Sequence, residues 1–248
     1  MNNINVLSGA SEKEKNLRTE FLKLYSENPI PNNEMVYSMG LFTNRMNLSR
    51  ILFMHELYLK IINVHGIVIE FGVRWGQNLA LYMNFRGIYE PFNYNRKIVG
   101  FDTFQGFPEI DIKDGQKVAV NDYNVTENYE QYLEKILLYH ESESPVSHKR
   151  KFDLIKGDAT QTFEQYLIKN PETIVALAYF DFDIYKPTKI CLELLMKRVT
   201  KGSVIAFDEL NCPEFPGETI AVMETIGLNK YAIKRSPLNP LISYLIIE

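Results

Sequence analysis

The sequence predicts a doubly wound α/β sheet with an N-terminal helical extension and an antiparallel C-terminal strand. Three observations carry this expectation. Short apolar, β-branched runs alternate with longer helical stretches between residues 66 and 207. The runs are apolar throughout, as in parallel strands covered on both faces. The last two runs, YAIKR and LISYLIIE, are separated only by SPLNP, which suits a closing antiparallel hairpin.

The elements follow in order. The first 28 or so residues are polar and charged and read as a peripheral helix or a loose arm. Residues 47–64 (NLSRILFMHELYLKIINV) repeat apolar side chains at helical spacing, with Asn47 or Ser49 available as a cap. Five strands are then expected: 66–71 (GIVIEF), 97–101 (KIVGF), 152–157 (FDLIKG), 173–183 (TIVALAYFDFD) and 203–207 (SVIAF). Helices fall between them at about 77–89, 127–140, 160–169 and 187–199. Pro187 suits a first helical turn, where its missing N–H costs nothing. Residues 108–125 form a long polar insertion after the second strand, and loops of that length usually bind or cover ligands.

Composition narrows the function. With 46% hydrophobic and 23% charged residues the chain has ordinary globular composition rather than that of a disordered one. A net charge of −4 disfavours a general nucleic-acid binder, which needs a basic face. Cys191 and Cys212 are the only cysteines, so no disulfide framework is implied and a reducing cytoplasm fits. No run approaches the roughly 18 apolar residues of a membrane span, and the N-terminus lacks an apolar signal core.

Ligands of open parallel sheets sit beyond the carboxyl ends of the strands. There the five runs carry Glu70, Asp102, Asp158, Asp181 with Asp183, and Asp208 with Glu209. Asp158 can equally be a helix cap. Capping does not cover the other two pairs. Asp181 and Asp183, at i and i+2 of a strand, would face one side. Several carboxylates in one crevice repel each other, and a bound divalent cation relieves this. Hard oxygen donors without His or Cys suit Mg2+, Mn2+ or Ca2+.

The turn Glu70-Phe71-Gly72-Val73-Arg74-Trp75-Gly76 lets backbone approach a ligand at a helix N-terminus. It is not G-x-G-x-x-G, because Arg74 stands where a middle glycine would. With Asp102 placed for ribose hydroxyls, the pattern is nearer to an S-adenosylmethionine site, although Asp102 alone does not discriminate, since nicotinamide cofactors use an acid there too. Arg74 can pair a ligand carboxylate or form a surface salt bridge. Tyr185 and Lys189 give Y-x-x-x-K, the pair of short-chain dehydrogenases, but Pro187 intervenes and no glycine-rich N-terminal turn accompanies it. His55, His65, His140 and His148 have no ligand spacing.

VIEFGVRWGQN, IVGFDTFQGFPEI, ALAYFDFDIYKPT and GSVIAFDELNCPEFPGE resemble the macrocin-type sugar O-methyltransferases over about residues 35–218. The resemblance implies a class I methyltransferase Rossmann-like domain at residues 65–248, following a helical extension at 1–64. It implies S-adenosylmethionine as donor, Mg2+ (or Mn2+), and a nucleotide-linked deoxysugar as acceptor. By the same resemblance Asp183, Asp208 and Glu209 are metal ligands, with Glu209 standing where the macrolide branch has Asp. Glu70, Gly72, Asp102, Thr103 and Asp158 fall on cofactor motifs, beside Arg74 and Gly76 of the turn. Asp181 falls next to the methyl group, a catalytic position, and is the expected proton acceptor. A symmetric homo-oligomer is implied, with residues 35–64 as its contact surface. Two rival readings are a metal-dependent methyltransferase for a catechol-like or other vicinal diol, and a nicotinamide-dependent sugar oxidoreductase.

Overall fold

A computed structural model describes residues 10–248; the first nine residues of the expected N-terminal arm lie outside the described ones. Three helical segments come first. Helix α1 (Glu12–Ser26) is capped by a reciprocal Ser11–Glu14 box and buries no residue, as a peripheral helix should. The short α2 (Asn32–Met35) runs into a 3-10 segment, Val36–Phe42. Helix α3 (Arg45–Ile61) is different, because it buries Phe53, Met54, Leu57, Tyr58 and Ile61.

Strands and helices then alternate: β1 (Ile67–Phe71), α4 (Gln77–Tyr89), β2 (Ile98–Asp102), α5 (Tyr129–Glu143), β3 (Phe152–Lys156), α6 (Ala159–Lys169), β4 (Val175–Phe180), α7 (Tyr185–Leu195) and β5 (Val199–Phe207). After them come α8 (Pro216–Thr225), β6 (Lys234–Arg235) and β7 (Ser243–Ile246). The sheet order is β3-β2-β1-β4-β5-β7-β6. Strands β1 to β5 are parallel, while β7 runs antiparallel to β5 and β6. The order reverses between β1 and β4, which opens a crevice at their carboxyl ends.

Alternation along each strand splits the core in two. Val68, Leu177 and Val204 pack with α3, α4 and α5. Ile69, Phe71, Phe180 and Phe207 pack with α6, α7 and α8 on the other face. The extension's third helix is thus a layer of the main core, next to the crevice rather than apart from it.

Four local expectations need correction. Helix α3 is capped by Asn44, whose side chain accepts from the Asn47 N–H at 3.0 Å, so Asn47 and Ser49 lie inside the helix. Its exposed first turn carries no core residue, so apolar spacing gave no sign of it. Strand β4 stops at Phe180, and Asp183 has φ 61°, so Asp181 and Asp183 do not share a strand face. Helix α7 ends at Leu195, and Val199 opens β5 by pairing with Val175. Helix α8, starting on Pro216 between β5 and the hairpin, was not expected at all.

Candidate active site

The strand register explains why acids gather at one rim. Phe101, Phe71, Phe180 and Phe207 stand side by side as register partners across β2, β1, β4 and β5. Neighbouring rings lie 5.4, 4.7 and 5.4 Å apart, forming a floor of aromatic contacts. The next residue in each strand is therefore level with its neighbours: Asp102, Gly72, Asp181 and Asp208. Pleating turns that residue away from the phenylalanine face. Backbone bonds from Asp181 N–H to Phe71 O (2.8 Å) and from Asp208 N–H to Phe180 O (3.0 Å) hold the alignment past the strand ends.

The rim encloses a crevice of ≈ 330 Å³, within the usual range for small-molecule sites. Every residue expected to act lines it: Glu70, Gly72, Arg74, Gly76, Asp102, Thr103, Asp158, Asp181, Asp183, Asp208 and Glu209. Tyr185 and Lys189 do not. Instead, Lys189 and the Tyr185 hydroxyl both bond to Glu224 of α8. None of the four histidines lines the crevice either.

One half of the crevice is built from turns. Asp102 accepts the backbone N–H of Arg74 and of Phe104, each at 2.6 Å, and so fixes two neighbouring turns as well as facing the cavity. The Thr103 hydroxyl donates to Gly106 O at 2.8 Å. Asp158 caps α6 through Thr160 N–H at 2.9 Å and also lines the crevice. Arg74 forms no salt bridge among the described residues. Its guanidinium lies 5.0 Å from the Tyr123 ring and 5.9 Å from Trp75, with Nε buried and unpartnered. Among the described residues the surface salt bridge is absent, and the cation is left facing the cavity.

The other half is acidic. Arg50, on α3, donates from Nη2 to Asp181 Oδ2 at 2.7 Å and from Nη1 to Asp208 Oδ1 at 3.2 Å. Its Nε reaches Asn78 Oδ1 at 3.4 Å, and Asn78 in turn donates to Glu70 Oε1 at 2.7 Å. The Tyr179 hydroxyl donates to Asp208 Oδ1. Glu218, from α8, is fully buried and accepts the Glu209 N–H at 2.8 Å, leaving its Oε1 without a partner. Arg50, Asn78, Tyr179 and Glu218 were not among the expected site residues. No motif spacing marks Arg50, which sits in a helix some 130 residues from Asp181 in sequence.

Burial raises the carboxyl pKa values of Asp181, Asp183, Glu209, Glu218 and Glu70. Asp181 is pushed up to about 7, first by burial and then by the charge of Asp208, although Arg50 pulls it back. Glu209 is likewise pushed up to about 7 by burial and Asp208. Asp183 and Glu218 are raised mainly by burial, and so is Glu70 at 1% exposure. Asp183 also holds a backbone conformation that costs a non-glycine residue about 1–3 kcal/mol.

The donor set suits a hard divalent cation. Asp183 has no hydrogen-bonded side-chain partner among the described residues, and Glu209 Oε2 is buried with none. As they stand, no three acidic, His or Cys side chains among the described residues form a ligating group. Arg50 instead offsets part of the charge, at Asp181 and Asp208.

A glycine turn after β1, an acid ending β2 and a crevice at the β1/β4 reversal are the features of a Rossmann-like nucleotide site, and similarity to solved enzymes makes it that of a class I, S-adenosylmethionine-dependent methyltransferase. Comparison with solved structures gives the family. The chain is similar to CalS11, a calicheamicin methyltransferase, at 38% identity over 99% of this chain and 97% of that one, with a TM-score of 0.93. It matches an apo structure of the same TDP-rhamnose 3'-O-methyltransferase at 37% identity over 97% and 96%, TM-score 0.86. The O-methyltransferase NovP shares the fold, at 15% identity over 80% and 79% and a TM-score of 0.55. No protein-family model and no curated protein matches the chain. The chain belongs to the macrocin-type sugar O-methyltransferase family.

Proposed function

We propose that this enzyme methylates a hydroxyl of a nucleotide-linked deoxysugar with the aid of Mg2+ or Mn2+. The observation that carries the reading is the aligned row of strand ends, which gathers Asp181, Asp183, Asp208 and Glu209 at one crevice wall. The activity of CalS11, a TDP-rhamnose 3'-O-methyltransferase, supports the acceptor class.

In this reading the turn from Glu70 to Gly76, with Asp102, Thr103 and Asp158, holds the methyl donor. Asp183, Asp208 and Glu209 hold the cation. When bound, the donor supplies an electrophilic methyl and the cation supplies positive charge beside a weakly acidic sugar hydroxyl. The crevice wall aligns that hydroxyl with the methyl group. Asp181 accepts the hydroxyl proton. The insertion at 108–125 contributes Pro108 and Tyr123 to the crevice and shapes the acceptor side.

Residues 1–64 serve as the extension for assembly into a homo-oligomer. Val36, Tyr37, Leu41, Leu48 and Leu52 expose apolar surface along its 35–64 part, which supports a contact there. No described helix is long and apolar enough to cross a membrane. Two free, buried cysteines fit work in a reducing compartment. Mass spectrometry of methyl transfer across TDP- and GDP-deoxysugars, with and without a chelator, tests the reading. Methylation of one of these sugars, lost with chelator and restored by Mg2+, is the expected result. Turnover indifferent to chelator would remove the metal, and transfer only to catechols would remove the sugar.

A further inference from the structure

Among the described residues, Arg50 is the only basic side chain in an ion pair with the acids of the crevice. It bridges carboxylates from two strands, Asp181 after β4 and Asp208 after β5, with one planar guanidinium. Its Nε reaches Asn78, and its carbon Cζ lies 5.8 Å from the Tyr179 ring. The helix carrying it is anchored a turn later by the buried Phe53, Met54 and Leu57. The contact is therefore part of a packed layer rather than a stray surface pair.

Which oxygens Arg50 uses matters. Asp208 Oδ1 accepts from both Arg50 and Tyr179, and Asp181 Oδ2 accepts from Arg50. Among the described residues no hydrogen bond reaches Asp208 Oδ2 or Asp181 Oδ1. One oxygen of each carboxylate is thus tied, and the other is left for a ligand in the crevice.

We propose that Arg50 is the positioning residue of the acidic wall: it orients Asp181 and Asp208 for the acceptor hydroxyl and, as a resident cation, limits how tightly the site holds a divalent ion. The inference rests on the reading of Asp181 as proton acceptor and of Asp208 as a cation ligand. Like charges in a partly buried crevice repel strongly, because water screens them less than in bulk. Removing the guanidinium charge should therefore strengthen cation binding even as it loosens the carboxylates. Lysine keeps the charge but lacks the planar fork that spans two carboxylates.

The test measures Mn2+ affinity of the free enzyme by titration calorimetry, separately from turnover, for Arg50→Gln and Arg50→Lys. The Gln variant is expected to bind Mn2+ about fivefold tighter or more, and the Lys variant within about twofold of the parent enzyme. Both should lose about tenfold or more in kcat, since neither spans Asp181 and Asp208. A purely structural role would lower thermal stability without tightening Mn2+ binding. Unchanged or weaker Mn2+ affinity in the Gln variant overturns the proposal. Should that variant fail to fold, full kcat in the Lys variant overturns it equally. Asp208→Asn separates the two levels. If it binds Mn2+ as the parent does, the ligand reading fails and this inference with it. If it loses Mn2+ while Arg50→Gln matches the parent, only the role of Arg50 is lost.

Discussion

A Cβ added to Gly72 would lie 2.0 Å from the carbonyl oxygen of Asp181. The turn after β1 thus passes directly against the backbone that begins the acidic wall, and Gly72 N–H is itself bonded to Phe101 O at 2.9 Å. Gly72 also has φ +88°, which side chains disfavour. Gly72→Ala must push the two segments apart. It is expected to cost about 2 kcal/mol or more of stability and to abolish S-adenosylhomocysteine binding. Thermal unfolding and calorimetry of the variant check both, and near-parental affinity would contradict this packing.

Glu70 gives a pH-dependent prediction. Burial raises its carboxyl well above the ordinary value of 4.5, so the folded state keeps a proton that the unfolded chain releases. Stability then falls as pH rises above that value, because the folded state binds more protons than the unfolded. Glu70→Gln keeps an oxygen for Asn78 and removes the titrating group, so folding no longer takes up a proton there. At pH 8 it should raise Tm by about 2–4 °C, as a gain near 1 kcal/mol does in a chain of this size. It should also flatten the fall in Tm between pH 5 and 8, while weakening S-adenosylhomocysteine binding. A Tm at pH 8 below that of the parent would contradict it.

Much of the scaffold was legible in the sequence because each strand signal is local. The apolar runs mark β1 to β5, and the acid after Phe101, Phe180 and Phe207 marks the rim. All the expected site residues reached one crevice for the same reason: the runs register in step, so FD in three strands lands at one height. What escaped was non-local or outside regular strand geometry. Asp181 and Asp183 were read as a strand pair, but β4 ends before both, and the positive φ of Asp183 leaves no mark in sequence. Arg50 looks like a polar residue of an amphipathic helix until α3 packs across the sheet. Glu218 has the same difficulty, since the Pro216–Gly217 pair hides the start of α8 in the sequence.

The insertion at 108–125 is tied down by Asp114. This side chain is 1% exposed; its Oδ1 accepts the Tyr185 N–H at the start of α7 (2.6 Å) and its Oδ2 accepts the Asp111 N–H (2.7 Å). Lys113 adds a salt bridge to Glu224 of α8. Asp114→Ala strands two backbone donors, a loss of about 1–3 kcal/mol each where they stay buried. The variant is expected to be cut faster by trypsin at Lys113 and Lys117 and to show a higher KM for the acceptor than for the methyl donor. Parental cleavage kinetics would mean that the loop is held by other contacts.

Asp181 and Asp183 lie two residues apart but differ in partners, so their amide variants should fail differently. Asp181 is paired with Arg50 and keeps Oδ1 open, as a group that takes a proton requires. Asp183 is 6% exposed and has no side-chain hydrogen bond among the described residues, as suits a cation ligand. Asp181→Asn preserves shape and the contact with Arg50 through its amide oxygen, while removing the basic site. Its kcat should fall about 10²–10⁴-fold, the usual effect of losing a general base, with S-adenosylhomocysteine affinity retained. Asp183→Asn should instead weaken Mn2+ binding and let excess Mn2+ recover part of the turnover. Calorimetry with Mn2+ and initial rates across Mn2+ concentrations separate the two. Recovery of Asp181→Asn by excess Mn2+, or parental turnover in that variant, would assign the proton to another group.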